Sequence, residues 1–152
     1  MKRILLTAAL SLSLGAGAAL ADGKVYITLP DMSGIAQDKA ASDLLLADIY
    51  KTMVLSQNCP GTSLSGEEHS LLSDGFDLLA WELELSMDET IEKYEKPAFA
   101  LLDSGDDACS EEPELKARTI ATLLKAGGDL TPLPDQEKAY HEWRSLMDAI
   151  RP

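Results

Sequence analysis

Residues 46–61, LADIYKTMVLSQNCPG, decide the fold class of this chain. Four large side chains recur at the spacing that places them on one face of an α-helix: Leu46, Ile49, Tyr50 and Met53. Such a stripe is typical of a helix that packs on a core. The Cys-Pro-Gly sequence at 59–61 ends the helix, because proline cannot donate the next hydrogen bond and glycine favours a turn. We therefore predict a helix from Ile35 to Asn58.

The same spacing recurs in four later segments, which predicts an all-α bundle of about five helices. Ser65 with Glu68, and Ser86 with Glu89, have the capping-box pattern that begins a helix. Asp135 is expected to cap the last helix. The side chains expected to face the core are Leu72, Phe76, Leu79 and Leu83, then Ile91, Tyr94, Ala98 and Leu101 across a kink near Lys93–Pro97, then Ala117, Ile120, Ala121 and Leu124, and finally Ala139, Trp143, Leu146 and Ile150.

Residues 24–30, KVYITLP, alternate in the manner of a β-strand. No second segment of comparable quality follows, so residues 22–34 are predicted to be an extended arm that packs on the helices. Addition to the sheet edge of a partner is the alternative. Residues 129–134, DLTPLP, are expected to be a stiff connector within a single helical domain, 35–152.

Residues 1–21 have the pattern of a secretory signal peptide. Lys2 and Arg3 precede an apolar run from Ile4 to Leu20, and small residues stand at the positions that signal peptidase recognises, with cleavage expected after Ala21. An uncleaved membrane anchor is the alternative, because the run approaches spanning length. The pattern predicts a periplasmic or secreted protein of a Gram-negative bacterium, without stable membrane insertion after cleavage.

Two cysteines are present, Cys59 and Cys109. An even number of cysteines in an exported chain favours a disulfide. Two separate free thiols are the alternative. Neither cysteine lies in a Cys-x-x-Cys motif, so thioredoxin-like exchange chemistry and c-type haem attachment are not indicated.

The chain is strongly acidic, with 13 Lys and Arg against 26 Asp and Glu and a net charge of −13. Loss of Lys2 and Arg3 with the signal peptide would lower the charge to −15. Such a surface repels nucleic acid and anionic lipid. The simpler interpretation of the charge is that it keeps an exported protein in solution. If the charge selects a partner, that partner is a basic protein or peptide. The oligomeric state is not indicated.

Residues 101–115, LLDSGDDACSEEPEL, resemble a calcium loop in their acidic residues. These residues occupy positions 1, 5, 9 and 12 of the EF-hand pattern: Asp103, Asp107, Glu111 and Glu114. However, Gly105 offers no ligand at position 3, and Ala108 replaces the glycine that the pattern requires at position 6. We therefore interpret the segment as an acidic connection between two helices, held by Cys109.

Glu137 and His141 are four residues apart on the predicted last helix, so they could place two metal ligands on one face. A closed zinc site needs four ligands, and the sequence does not identify the others. We therefore predict neither a metal site nor a cofactor.

Glu82 lies between Trp81 and Leu83 and could be a carboxyl group in an apolar cleft, as in a lysozyme-like hydrolase. A polar position between core residues of a helix is the simpler interpretation. Trp81 and Trp143 are expected to pack in the core. An exposed tryptophan would instead indicate a binding hot spot.

The segments IYKTMVLSQNCP, 49–60, and LAWELELSMDETIEKY, 79–94, resemble small exported helical proteins of unknown function from alphaproteobacteria. The resemblance spans Asp48 to Gly128. It rests on a Cys-Pro after the first helix and a Leu-Ser-x-x-Glu start to a later one. It implies export and a helical fold, and it implies no catalytic residue.

Taken together, the sequence predicts a non-enzymatic acidic helical protein that binds another protein or a peptide, as an accessory subunit, an inhibitor or a chaperone. A divalent-metal-binding domain is one alternative hypothesis. A small cell-wall hydrolase is another.

Overall fold

The computed structural model describes residues 23–103 and 108–150, where the chain forms a helical bundle with one small sheet. The elements are β1 (Ile27–Thr28), α1 (Lys39–Asn58), α2 (Gly66–Glu82), α3 (Met87–Thr90), α4 (Lys96–Asp103), α5 (Ala108–Lys125), β2 (Asp129–Pro132) and α6 (Gln136–Ile150). A π-helical segment joins α3 to α4, so the described residues contain five helices, as predicted. In this part of the chain, no helix is both long enough and apolar enough to cross a membrane. The predicted signal peptide lies outside the described residues.

Side chains next to the helices determine where they begin. Ser65 accepts a hydrogen bond from the Glu68 amide at 3.1 Å, and the Glu68 carboxylate accepts one from the Ser65 amide at 2.9 Å, which confirms the first predicted capping box. Asp135 accepts a hydrogen bond from the Lys138 amide at 3.0 Å and caps α6. The first long helix begins later than predicted. A short 3₁₀ turn occupies Ile35–Gln37, and Asp38 then caps α1.

The core lies between α1, α2 and α5. Leu46 and Ile49 of α1, and Leu72 and Leu79 of α2, are buried as their spacing predicted. Gly75 allows a close approach here, because a Cβ at this position would lie 3.2 Å from Met32 Cε and 3.3 Å from a Leu123 methyl carbon. The absence of a side chain therefore lets the N-terminal arm and α5 contact the middle of α2.

The predicted irregularity near Pro97 is a π-helical segment, Ile91–Glu95. Proline has no amide hydrogen to give to the carbonyl of Lys93, four residues earlier. The wider turn precedes the proline and lets the helix continue as α4. Tyr94 and Ala98 consequently stay on the buried face.

The buried faces of the last two long helices differ from the prediction. On α5, Ala117, Ala121 and Leu124 are exposed, and of the four predicted side chains only Ile120 is buried. The residues that α5 buries are Glu112, Leu115, Thr119, Ile120 and Leu123. On α6, Leu146 is exposed, whereas Met147 and Ala139 are buried. The apolar spacing misidentified the α5 face because two of its buried residues are polar.

The prediction that 129–134 is only a connector was wrong. Residues 129–132 form β2, which pairs antiparallel with β1, with Ile27 opposite Pro132 and Thr28 opposite Asp129. Gln136 joins the arm to the start of α6, since its side chain accepts from the Tyr26 amide and donates to the Tyr26 carbonyl, each at 2.8 Å. The arm therefore packs within its own fold.

Helices α1 and α5 run antiparallel and meet along a row of three pairs, which we call the α1–α5 seam. Its members are Thr52 with Thr119, Ser56 with Glu112, and Cys59 with Cys109. The Thr52 and Thr119 hydroxyl oxygens are 3.4 Å apart, the Ser56 hydroxyl donates to the Glu112 carboxylate, and the cysteines form the predicted disulfide. All but Cys109 are buried, and Cys109 is partly buried.

We expect the disulfide to contribute substantially to stability, because it closes a loop with a sequence separation of 50. In the chain-entropy model, a loop of this size corresponds to about 4 kcal/mol. A double variant, Cys59→Ala with Cys109→Ala, should therefore unfold at a much lower urea concentration than the wild type. Reduced wild-type protein is the matched control and should behave like the variant. Equal midpoints for the oxidised wild type and the variant would contradict the prediction.

Two tyrosine hydroxyls join α1 to the α3–α4 helix. The Tyr50 hydroxyl donates to Glu95 at 2.6 Å, and the Tyr94 hydroxyl donates to Asp43. Burial raises the pKa of Tyr50 to about 12, and the hydrogen bond to Glu95 and the charge of that carboxylate act in the same direction. Burial, followed by the Asp43 hydrogen bond, also raises the pKa of Tyr94.

These raised pKa values predict a loss of stability at high pH. The unfolded chain ionises its phenols near pH 10, whereas the folded chain keeps these two protonated. Their stabilising contribution is therefore complete below pH 10 and falls as the pH rises towards about 12. In urea unfolding experiments between pH 10 and about 12, the free energy of unfolding of Tyr50→Phe should fall less steeply with pH than that of the wild type. Near-ultraviolet phenolate absorbance that places the native Tyr50 transition near pH 10 would contradict the prediction.

Candidate functional site

A tight turn between α2 and α3 builds the most distinctive surface of the molecule. The Glu84 amide donates to the Trp81 carbonyl at 2.9 Å, and the Leu85 amide donates to the Ala80 carbonyl at 3.0 Å. This pair of bonds is the Schellman motif, which ends a helix with one residue in the left-handed conformation. That residue is Glu84, with a φ of 55°.

The next helix begins immediately after this turn. The Ser86 hydroxyl accepts from the Glu89 amide at 3.3 Å, and the Glu89 carboxylate accepts from the Ser86 amide at 2.9 Å, so the second predicted capping box is confirmed. The hydrogen bonds of Ser86 lower the pKa of Glu89, which stays ionised beside the helix N-terminus. Both ends of the turn are therefore held, and Trp81 and Met87 are placed on either side of it.

Between these elements lies a groove of about 860 Å³, which we call the Trp81 groove. Its apolar lining comes from α2, the turn, α3 and the last residue of α6: Phe76, Ala80, Trp81, Leu85, Met87 and Ile150. Trp81 is 48% exposed and Met87 is 78% exposed. A groove that presents a tryptophan and a methionine to solvent has the composition of a protein-binding surface.

The polar lining of the Trp81 groove is acidic. Asp77, Glu82 and Glu84 contribute carboxylates, and Ser86 and Thr90 contribute hydroxyls. Among the described residues that line the groove, there is no lysine, arginine or histidine. The groove therefore combines an apolar floor with negative charge from its described lining residues.

Glu82 is exposed at this groove. Glu82 therefore lies on the surface and not inside an apolar cleft, which is the position of a lysozyme-like general acid. Its position instead favours an electrostatic role at the edge of the groove.

Asp103, Glu111 and Glu114 of the acidic segment 101–115 do not line this groove. Asp103 is the last residue of α4, whereas Glu111 and Glu114 are exposed on α5, which begins at Ala108. Asp107 lies outside the described residues. Helix α5 already begins at Ala108, the sixth position of the EF-hand pattern, where that pattern requires the sharp turn of the loop.

Glu137 and His141 are exposed on α6, beside a shallow depression of about 520 Å³. Within residues 23–103 and 108–150, no group of three or more potential metal-ligating side chains comes together. The structure therefore shows this pair as two surface residues on one helix face, without further ligands from the described part of the chain.

The two tryptophans have different environments. Trp143 is partly buried near Tyr26, with ring centroids 5.7 Å apart, and the Lys24 ammonium lies 4.8 Å from its ring centroid. Lys24 also forms an ion pair with the buried Asp74 at 2.9 Å. Trp143 thus holds the N-terminal arm in place, whereas Trp81 is half exposed.

Sequence reasoning missed Met87, Leu85 and Glu84 as members of one surface. A signal was present, since two helix patterns are separated by the short segment LELS, 83–86, without a glycine. A helix that ends in so short a connection commonly has one residue in the left-handed conformation, usually glycine. Because LELS contains no glycine, another residue must adopt that conformation here.

Comparison with protein-family models, with curated proteins and with solved structures finds no match to this chain. The candidate site therefore rests on the geometry described above.

We expect Glu84→Gly to stabilise the fold by about 1 kcal/mol, because glycine adopts the left-handed conformation without the steric cost of a Cβ atom. Glu84→Ala is the matched control, since it removes the carboxylate and keeps the Cβ. The two variants should differ in urea unfolding midpoint, with the glycine variant above the wild type. A glycine variant no more stable than the alanine variant would contradict a strained Glu84.

Proposed function

We propose that this chain is a non-enzymatic, exported acidic protein that acts by binding another protein or a peptide in the Trp81 groove. The observation that carries the proposal is the exposure of Trp81 and Met87 in one groove. Tryptophan is enriched among the residues that dominate binding energies. Methionine adapts its shape to varied apolar partners.

The proposed location is the periplasm of a Gram-negative bacterium or the medium outside the cell. The Cys59–Cys109 disulfide supports it, because disulfides persist in oxidising compartments. The signal-peptide pattern of 1–21 supports it independently, as does the resemblance to exported helical proteins. Accessory, inhibitory and chaperone roles all remain within the proposal, since each uses a binding surface.

Site-specific photocrosslinking in the cells that produce the protein tests the proposal. A benzophenone amino acid at position 87 should form a discrete adduct with a partner protein. The same amino acid at position 44 is the matched control, because Leu44 is 70% exposed on α1 and does not line the groove.

Addition of Trp81→Ala should reduce the adduct from position 87 strongly. Loss of a hot-spot tryptophan weakens binding by about 30-fold or more. Circular dichroism should show an unchanged fold, since Trp81 is half exposed. The proposal fails if position 87 gives no adduct, or if positions 87 and 44 give the same adducts.

A further inference from the structure

We propose that the Trp81 groove selects cationic amphipathic helical segments, which carry lysine or arginine beside large apolar residues. This inference rests on the proposed function and specifies the chemistry of the partner. It follows from the charge of the groove, the chemistry of Trp81 and the position of Glu84.

Charge complementarity gives the first argument. Glu82 and Glu84 lie at the groove, and the described lining residues include no cation. The whole chain carries a net charge of −13, so the surrounding field also attracts cations. Such a field accelerates association with a basic partner and opposes an acidic one.

The apolar lining gives the second argument. Trp81 provides both an apolar surface and a π face, on which a lysine or arginine side chain can place its alkyl stem and its charge. Leu85, Met87 and Ile150 provide the apolar contacts. A simple cation would leave these side chains exposed, and a purely apolar segment would make no use of the charges of Glu82 and Glu84. A cationic amphipathic segment satisfies both sets of groups.

The backbone of Glu84 is consistent with this assignment. The Schellman position is usually glycine, and glutamate here has a φ of 55°. The fold therefore holds a carboxylate at the groove in a conformation that an L-residue seldom adopts. We assign Glu84 as a specificity-determining residue and Trp81 as the main apolar contact.

Three synthetic peptides of about three helical turns test the inference by isothermal titration calorimetry. They share the same leucines and carry lysine, glutamine or glutamate at every polar position. The lysine peptide should bind, the glutamine peptide should bind about tenfold more weakly, and the glutamate peptide should not bind. Raising the salt concentration should weaken the binding of the lysine peptide and leave the binding of the glutamine peptide unchanged.

Variants show which carboxylates produce the preference for the lysine peptide. Glu84→Asn and Glu82→Gln should each lower the affinity for the lysine peptide roughly threefold, as expected for exposed ion pairs. Neither variant should change the affinity for the glutamine peptide. Asparagine tolerates the left-handed conformation, so it removes the charge and preserves the turn. Glu111→Gln on α5 is the matched control, since it changes the net charge equally and lies outside the groove.

The outcomes separate this inference from the proposed function. Equal affinities for the lysine and glutamine peptides would overturn the charge selection. It would also be overturned if Glu111→Gln weakened binding of the lysine peptide as much as Glu84→Asn and Glu82→Gln do. Absence of binding by all three peptides would also overturn it. In each of these cases, an adduct from position 87 in cells would leave the proposed binding function standing, whereas absence of that adduct would remove both.

Discussion

The α1–α5 seam is the contact on which the rest of the fold depends. Ser56 and Glu112 are buried and bond to each other, so a shift of α5 along α1 by one turn would leave this hydroxyl and this carboxylate unpaired inside the protein. Each such group costs about 1–3 kcal/mol. Apolar faces alone would tolerate such sliding more readily. The disulfide holds the same register at the end of the seam, in the turn where Pro113 removes the helix hydrogen bond to the Cys109 carbonyl.

The register of α5 in turn places the N-terminal arm. Helix α5 leads into β2, and β2 pairs with β1, so the arm occupies its position only when α5 occupies its own. Asp74 on α2 then pairs with Lys24, and the Ser70 hydroxyl donates to the Val25 carbonyl at 2.6 Å. The arm from Lys24 onward is therefore part of the fold, and the seam, the sheet and α6 form one continuous set of contacts.

Local features were predictable from the sequence, and contacts between distant residues were not. The capping boxes at Ser65 and Ser86 and the α1 stripe depend on neighbours within one or two turns. The pairing of β1 with β2 joins segments about a hundred residues apart, and β2 is short and ends in a proline, Pro132, which conceals the strand. The α5 face was misidentified because Glu112 and Thr119 are buried through partners on another helix.

In the candidate site, too, local features were predictable and contacts between distant residues were not. The sequence placed Trp81 and Glu82 on a helix next to a capping box, but it did not show that Ile150 of α6 would line the same groove as Trp81. Trp143 shows why residue type cannot decide whether a tryptophan is exposed. The same amphipathic spacing surrounds both tryptophans, yet Trp143 packs against Lys24 and Tyr26 from the far end of the chain.

Agreement between local sequence and fold is high along this chain, which makes the departures near Trp81 informative. Capping residues occur where helices begin, and Gly75 occurs where elements approach closely. At Glu84 the turn uses an acidic residue where glycine would be favoured, and a tryptophan and a methionine beside it remain exposed. Local choices that reduce stability tend to coincide with functional positions. Because three such departures share one groove, they favour a binding role for that groove over an accident of packing.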